Sequence, residues 1–280
     1  MSMGIIYGLI AALGWGTGDF LITRATRQIG WQWTLLLAQL TGIVAIGLVL
    51  LGRSDPLPPW GPAWPMAVAV NLLNLTGTLL LYRAFAIGTL AIVSPISASF
   101  AAVTAALALL DGEQLGAITL AGTGLVIGGV VVVSRGPGKA RADLRGVPEA
   151  IGVAISFGLF FWLIGDVTAT FGIAWPVLIG RIVTVLGAVM ILVLSRPARP
   201  RLGAAHGGLI IAASALDTIA FLSFNTGIAT AYVSVVTALA SIFSAVTVVL
   251  AWLVLRERLA RSQWLGVAGI LAGVLLVSLP

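Results

Sequence analysis

Chemistry in this sequence depends on polar side chains that lie within long apolar stretches. Two sets recur at steps of three and four residues: Asn71, Asn74, Thr78 and Tyr82, and then Ser214, Asp217, Phe221 and Asn225. Residues at this spacing share one face of a helix. Two polar and aromatic faces of this kind predict the walls of a binding cavity. Hydrogen bonding that only holds neighbouring helices together is the alternative interpretation.

Ionisable residues are the most informative of these side chains, because a charge at the centre of a membrane helix costs about 2.5–3.5 kcal/mol on insertion scales. Asp217 lies near the middle of its apolar stretch. A neutral residue would fill a structural role there at lower cost, so we expect Asp217 to bind substrate. We also expect it to exchange a proton, unless an arginine or a bound cation neutralises it.

Two aspartates are predicted nearer to helix ends. Trp15 precedes Asp19 by four residues, and Trp162 precedes Asp166 by four residues, so each tryptophan shares a helix face with its aspartate. We expect both tryptophans to line the cavity. A carboxylate that reaches interfacial water is the alternative interpretation for each aspartate.

Each predicted membrane face then has one acid and one base at shallow depth. Arg83 is predicted on the same side as Asp19, and Arg181 on the same side as Asp166. These pairs are placed as gates that would close the cavity from either side. Gln39 is the repeat equivalent of Arg181 and is expected to line the same cavity.

Composition identifies the surroundings of these residues. Of the 280 residues, 60% are hydrophobic and 9% are charged, whereas soluble domains carry about 25% charged residues. We therefore expect an integral membrane protein. The net charge of +6 resides mainly in short loops, which argues against nucleic-acid binding. The sequence shows no cysteine, no metal-binding or nucleotide-binding pattern and no nucleophile–base pattern, so we expect no cofactor, metal, catalytic residue or enzymatic activity.

Apolar stretches of the length that a bilayer requires recur along the chain. The sequence predicts an all-α protein with ten transmembrane helices, at residues 4–23, 33–51, 64–87, 91–110, 115–134, 148–170, 175–194, 208–229, 233–254 and 263–279. Segments rich in proline and charge, such as 53–60 and 196–201, separate them. Pro95 lies inside the fourth span and is expected to kink it.

The two halves of the chain repeat each other at offsets of 141 to 147 residues. Trp15, Gly18 and Asp19 match Trp162, Gly165 and Asp166; Gly30 and Trp33 match Gly172 and Trp175; Ile87 and Thr89 match Ile228 and Thr230; Glu113 and Gly122 match Glu257 and Gly266. We predict a first repeat at residues 1–135, a linker at 136–147 and a second repeat at 148–280. Five helices per repeat is an odd number, so the second repeat would be inverted in the membrane.

The distribution of basic residues predicts the orientation. Twelve of the 15 lysines and arginines fall in odd-numbered loops, and the even-numbered loops hold only Arg53. Basic loops face the cytoplasm, so both termini are expected outside it.

Short motifs carry a more specific signal. They are Trp15-Gly-Thr-Gly-Asp-Phe20, Tyr82-Arg-Ala-Phe-Ala-Ile-Gly88, Val93-Ser-Pro95 and Glu113-Gln-Leu115 in the first half, and Asn225-Thr-Gly-Ile228, Glu257-Arg-Leu259 and Gln263-Trp-Leu-Gly266 in the second. Together they resemble the repeat unit of the drug/metabolite transporter superfamily, in its EamA branch. The resemblance spans essentially the whole chain. Amino-acid exporters of this type have both termini in the cytoplasm, so the resemblance and the basic residues disagree on orientation.

The resemblance implies a multi-pass secondary transporter of the cell inner membrane, which exports amino acids or similar small metabolites. The alternative is a proton-coupled carrier of organic cations, such as amines, quaternary ammonium compounds or drugs. A scaffold without transport is a third class, but five intramembrane charges argue against it. The expected partners are a small-molecule substrate and the lipid bilayer. The sequence is compatible with a monomer and leaves the oligomeric state open.

Overall fold

The computed structural model describes residues 3–110, 144–230, 233–257 and 259–277, together with 116–118, 121–122, 124–125, 128–129 and 132. Its elements are helices: α1 (Met3–Ile29), α2 (Trp31–Arg53), α3 (Ala63–Ile87), α4 (Leu90–Ala98), α5 (Phe100–Leu110), α6 (Val147–Phe171), α7 (Trp175–Ser195), α8 (Ala204–Ile228), α9 (Val233–Ser241), α10 (Phe243–Leu250) and α11 (Arg261–Val277). A π-helical turn, Ala251–Leu255, continues α10.

Six helices of the described ranges are long and apolar enough to cross a membrane: α1, α2, α3, α6, α7 and α8. Leucines such as Leu48, Leu51 and Leu186 are at least 65% exposed on their outer faces, which suits contact with lipid. Within the described residues the predicted helical fold, with long apolar helices, is confirmed. The total of ten spans stays a prediction, since most of the fifth span and of the linker at 136–147 lies outside the described residues, as does Glu113.

The turn after the first helix of each half has the same backbone geometry. Gly30 joins α1 to α2 with a φ of 84°, and Gly172 follows α6 with a φ of 76°. A side chain is strained at such positive φ values. The turn therefore requires glycine in both halves, which explains why Gly30 and Gly172 match in the sequence.

Contacts between the halves are reciprocal. Helix α1 packs along α8, whereas α6 packs along α3, and α2 packs against α7. The Trp33 indole donates a hydrogen bond to the Ala198 carbonyl at 3.0 Å, and the Trp175 indole donates one to the Pro56 carbonyl at 2.9 Å. An offset of 142 residues separates the two donors and also the two acceptors. Equal contacts exchanged in this way indicate an approximate twofold axis between the halves.

The fourth and ninth predicted spans are each broken into two helices. The first break, at Ser99, lies between α4 and α5, and the second, at Ile242, lies between α9 and α10. Pro95 lies inside α4 and cannot donate a backbone hydrogen bond, which weakens the helix before the first break. Ala238 holds the equivalent position in the second half. The break therefore does not require proline.

A close contact fixes the second helix of each broken span to the first helix of the opposite half. Thr104 on α5 donates a hydrogen bond to the Gly158 carbonyl at 3.0 Å, and Thr247 on α10 donates one to the Gly16 carbonyl at 3.1 Å. A Cβ atom at Gly16 would lie 2.6 Å from the carbonyl oxygen of Phe243, and one at Gly158 would lie 2.5 Å from an α5 side chain. Glycine at both positions therefore allows the helices to approach.

Candidate substrate cavity

Helices of both halves surround a cavity of about 1020 Å³, including the solvent space at its opening. The structure places both predicted polar faces on this cavity. Of the predicted site residues, those that line it are Trp15, Asp19, Gln39, Asn71, Asn74, Thr78, Tyr82, Arg181, Asp217, Phe221 and Asn225. The three- and four-residue spacing on α3 and α8 therefore located the cavity walls.

A buried arginine connects three helices at one wall of the cavity. The Arg181 guanidinium donates hydrogen bonds to the Gln39 side-chain oxygen at 2.9 Å and to the Thr218 hydroxyl at 3.1 Å, and it forms an ion pair with the Asp217 carboxylate. Arg181 is only 4% exposed. The negative charge of Asp217 is thus paired with an arginine that hydrogen bonds to two further side chains hold in place.

Gly42 provides the space for this arginine. A Cβ atom at Gly42 would lie 2.7 Å from Nε and 2.8 Å from Cζ of Arg181. The guanidinium therefore packs directly on the backbone of α2, and any side chain at position 42 would displace it.

Some polar cavity residues are held by backbone carbonyls. The Asn71 amide donates to the Ala67 carbonyl at 2.8 Å, and the Asn225 amide donates to the Ile173 carbonyl at 2.8 Å. The amide nitrogen of each asparagine is therefore committed to the helix bundle.

Other polar side chains of the cavity are free to bind a ligand. Within the described part of the chain, the side chains of Asn74, Thr78, Tyr82 and Asp19 form no hydrogen bond, although all four line the cavity. Asp19 also forms no ion pair there, and the carboxylate of Asp217, which lines the same cavity, carries the same charge. These groups are the available donors and acceptors.

Aromatic rings form much of the remaining wall. The Trp15 ring packs edge-on against Phe221, with centroids 5.0 Å apart, and its plane is tilted by 58° from that of Phe161, with centroids 5.7 Å apart. Phe157 and Phe160 add two further rings to the lining. An aromatic wall with a few polar groups is typical of small-molecule sites.

The predicted equivalence of Trp15 and Asp19 with Trp162 and Asp166 is wrong. The α6 residues that line the cavity are Phe157, Phe160, Phe161 and Ile164, and they follow the lining residues Trp15, Gly18, Asp19 and Ile22 of α1 by 142 residues. Trp162 is not part of the lining, and Asp166 is exposed. The offset of 142 that relates Gly30 to Gly172 was the signal that could have found these phenylalanines.

The two predicted gate pairs do not form in the structure. Arg83 lies on the outer face of α3 with a side chain that is 58% exposed, and it pairs with Glu149 at 3.1 Å, so it does not meet Asp19. Arg181 points inward and pairs with Asp217, so it does not meet Asp166. Adjacent residues on a helix diverge by about 100°, which explains why Tyr82 faces the cavity and Arg83 does not.

A different ion pair joins the two halves near the end of α3. The Glu257 carboxylate accepts hydrogen bonds from the backbone N–H groups of Leu90 at 3.2 Å and Ala91 at 2.9 Å, and it pairs with Arg27 at 3.0 Å. Arg27 also donates to the Gly88 carbonyl at 2.9 Å. Glu257 thus satisfies the first N–H groups of α4. We name Arg27 and Glu257 the clasp.

Comparison with known proteins agrees with this architecture. An uncharacterized protein of Methanocaldococcus jannaschii is 29% identical over 136 residues, which are 48% of this chain and 98% of that protein. A crystal structure of a protein with 18% sequence identity superposes with a TM-score of 0.73, over 99% of this chain and 97% of the other, and shows the same fold. The model of the EamA-like transporter family matches residues 2–135 and 144–279. The chain therefore belongs to the EamA-like transporter family of the drug/metabolite transporter superfamily, a family of membrane transporters and not of enzymes.

Proposed function

We propose that the protein is a secondary transporter that moves a small organic solute by alternating access. Two inverted repeats of five helices, at residues 1–135 and 148–280 and joined by the linker 136–147, would form ten spans in the cell inner membrane. The observation that supports this most strongly is the shared cavity, because equivalent residues such as Trp15 and Phe157 line it from the two halves. Sites between repeats are a property of alternating-access transporters.

Export of amino acids or similar small metabolites is the first substrate class that we propose. Arg181 and Asp19 lie in the same cavity, so a solute with a carboxylate and an amino group would find a partner for each charge. The expected partners are this solute and the lipid bilayer.

Proton-coupled transport of organic cations is the second candidate, and the balance of charges favours it. The cavity contains the carboxylates of Asp19 and Asp217 but only the single arginine Arg181 within the described residues. The formal charge of the cavity lining is therefore −1 when both carboxylates are ionised. Aromatic rings such as Trp15 would also attract a cation.

The two classes can be separated in one pair of experiments. A thermal-shift screen of the purified protein against zwitterionic amino acids and quaternary ammonium ions should identify ligands that raise the unfolding temperature. Counterflow of the same solutes into proteoliposomes should then show exchange that depends on the protein. We expect Asn74→Leu to lower the flux and the lipid-facing variant Leu48→Ala to retain it. Flux that persists unchanged with Asn74→Leu would argue against this cavity as the route.

A further inference from the structure

We infer, on the basis of the proposed transport function, that Asp19 is the carboxylate that binds the positively charged group of a substrate and exchanges it for a proton. This assignment gives the site a substrate class, organic cations, and a coupling ion. The proton would then be exchanged at Asp19 and not at Asp217, the residue for which the sequence predicts this role.

Asp217 is poorly suited to this exchange because its charge has a permanent partner. Arg181 pairs with it from α7, and Gln39 and Thr218 hold the same guanidinium in place. Arg181 is itself almost fully buried. A cation that bound to Asp217 would have to compete with an arginine that belongs to the fold.

Asp19 has the opposite surroundings. It lines the same cavity, and no described residue donates a hydrogen bond to its carboxylate or pairs with it. The charged and titratable groups that face it are Tyr82 from α3, Arg181 from α7 and Asp217 from α8. Arg181 is engaged by Asp217, and Asp217 repels the negative charge of Asp19. A mobile proton or a substrate cation is therefore the remaining source of compensation.

The wall around Asp19 matches an organic cation better than a metal ion. Trp15 lies one helical turn before it, and Phe160 and Phe161 of α6 line the same cavity. Aromatic faces attract ammonium and quaternary ammonium groups. In the described part of the chain no cluster of three acids, histidines or cysteines is present that could hold a metal ion.

The exchange is balanced in charge. When a monovalent cation enters, the Asp19 carboxyl group releases one proton to solvent, and the resulting carboxylate faces the cation. No covalent bond to the substrate forms or breaks. When the cation leaves, one proton returns. Cation and proton therefore compete for one negative charge, and cation binding should tighten as the pH rises.

The test uses the full-length protein in detergent with benzyltrimethylammonium chloride as the probe, because this cation has no titratable group. Calorimetric titration in two buffers of different ionisation enthalpy reports the number of protons released. We expect up to one proton per bound cation, and a dissociation constant that falls by at most about tenfold per pH unit.

Three variants assign the proton to a residue. Asp19→Asn should abolish proton release and the pH dependence of binding, whereas Asp217→Asn should keep both. Asp166→Asn, the matched control on the exposed face of α6, should bind like the wild type. Infrared difference spectra of the wild type and of Asp19→Glu provide a second measurement that does not need the asparagine variant to fold. The band of a protonated carboxyl group should disappear on cation binding and should shift in frequency with glutamate.

The inference is overturned if the wild type does not bind the cation, if binding releases no proton, or if Asp19→Asn retains pH-dependent binding. An infrared band that is unaffected by Asp19→Glu would also overturn it. Proteoliposome flux keeps this result separate from the proposed function. Flux without proton release would reject only the role of Asp19, and proton-linked binding without flux would reject only transport.

Discussion

Phe100 and Phe243 lie with nearly parallel rings, their centroids 6.2 Å apart and their planes differing by 9°. Each is the first residue of the helix that follows a break, and an offset of 143 residues separates them. The approximate twofold axis therefore passes between the two rings. Since both residues line the cavity, a movement of one half against the other would change the cavity wall at this contact.

Gly16 and Gly158 should be sensitive to the smallest possible substitution. Gly16→Ala and Gly158→Ala would each place a methyl group within 2.6 Å of a neighbouring helix, and overpacking of this kind costs about 1–3 kcal/mol. We expect both variants to lower the unfolding temperature in detergent to a similar extent. Gly47→Ala is the control, because a Cβ atom at Gly47 meets nothing within 4 Å. Equal stability of all three variants would show that the helix contacts are loose.

Removing the charge of Arg181 should destabilise the protein through the carboxylate that is left behind. Breaking a buried ion pair from one side costs about 3–5 kcal/mol; the lower end is expected here because the Asp217 side chain retains 30% exposure. The double variant Arg181→Gln/Asp217→Asn should recover part of the loss of Arg181→Gln, as measured by thermal unfolding. Additive losses would mean that the two charges do not interact.

Arg83→Ala should have little effect on stability or on access to the cavity. Its partner Glu149 is 15% exposed, but the Arg83 side chain is 58% exposed, and surface ion pairs contribute about 0–1 kcal/mol. Thermal unfolding and substrate counterflow should both stay near the wild-type values. A large loss of flux would show that Arg83 takes part in transport.

The clasp should restrain movement of the two halves at its side of the protein. Glu257→Ala leaves Arg27 and the N–H groups of Leu90 and Ala91 without their carboxylate, so we expect the protein to open there more often. Since the chain contains no cysteine, Leu81→Cys introduces a single reporter in the cavity wall. Its labelling by a water-soluble maleimide should become several-fold faster with Glu257→Ala.

A matched control for this experiment is Arg53→Ala, which breaks the local ion pair between Arg53 at the end of α2 and Asp55, at 2.9 Å. That variant should label at the wild-type rate. An equal increase in both variants would show that the labelling reports general loosening and not the clasp.

The orientation predicted from the basic loops can be measured directly. A reporter that is active only in the cytoplasm, fused after Pro280, should be silent if both termini lie outside. An active reporter would contradict the charge-based prediction and would agree with the amino-acid exporters that the sequence resembles.

The cavity faces of α3 and α8 could be predicted because their polar residues follow the helical period, and the period depends only on local geometry. The helical period also explains why the match of Trp15 with Trp162 gave a wrong prediction for α6. It is five residues away from the true offset, and five residues rotate a helical position by about 140°. The tryptophans that match in sequence therefore lie on different helix faces: Trp15 faces the cavity, whereas Phe157 and not Trp162 does so on α6.

The partners of Arg181 could not be predicted from spacing. Gln39 contacts it from α2 and Asp217 from α8. Which of several acids pairs with Arg181 depends on how far each helix is rotated about its own axis. That rotation is determined by close contacts such as Gly42 against Arg181, which have no periodic signal in the sequence.

The hydrogen bond between Arg181 and Gln39 joins two residues that are equivalents in the two halves. A cavity assembled from two identical copies of one repeat would have to place the same side chain on both sides of the axis. Two arginines there would repel each other, and two glutamines would leave Asp217 without a counter-charge. Joining the repeats in one polypeptide removes this restriction, so the inward-facing and outward-facing forms need not have equal energy.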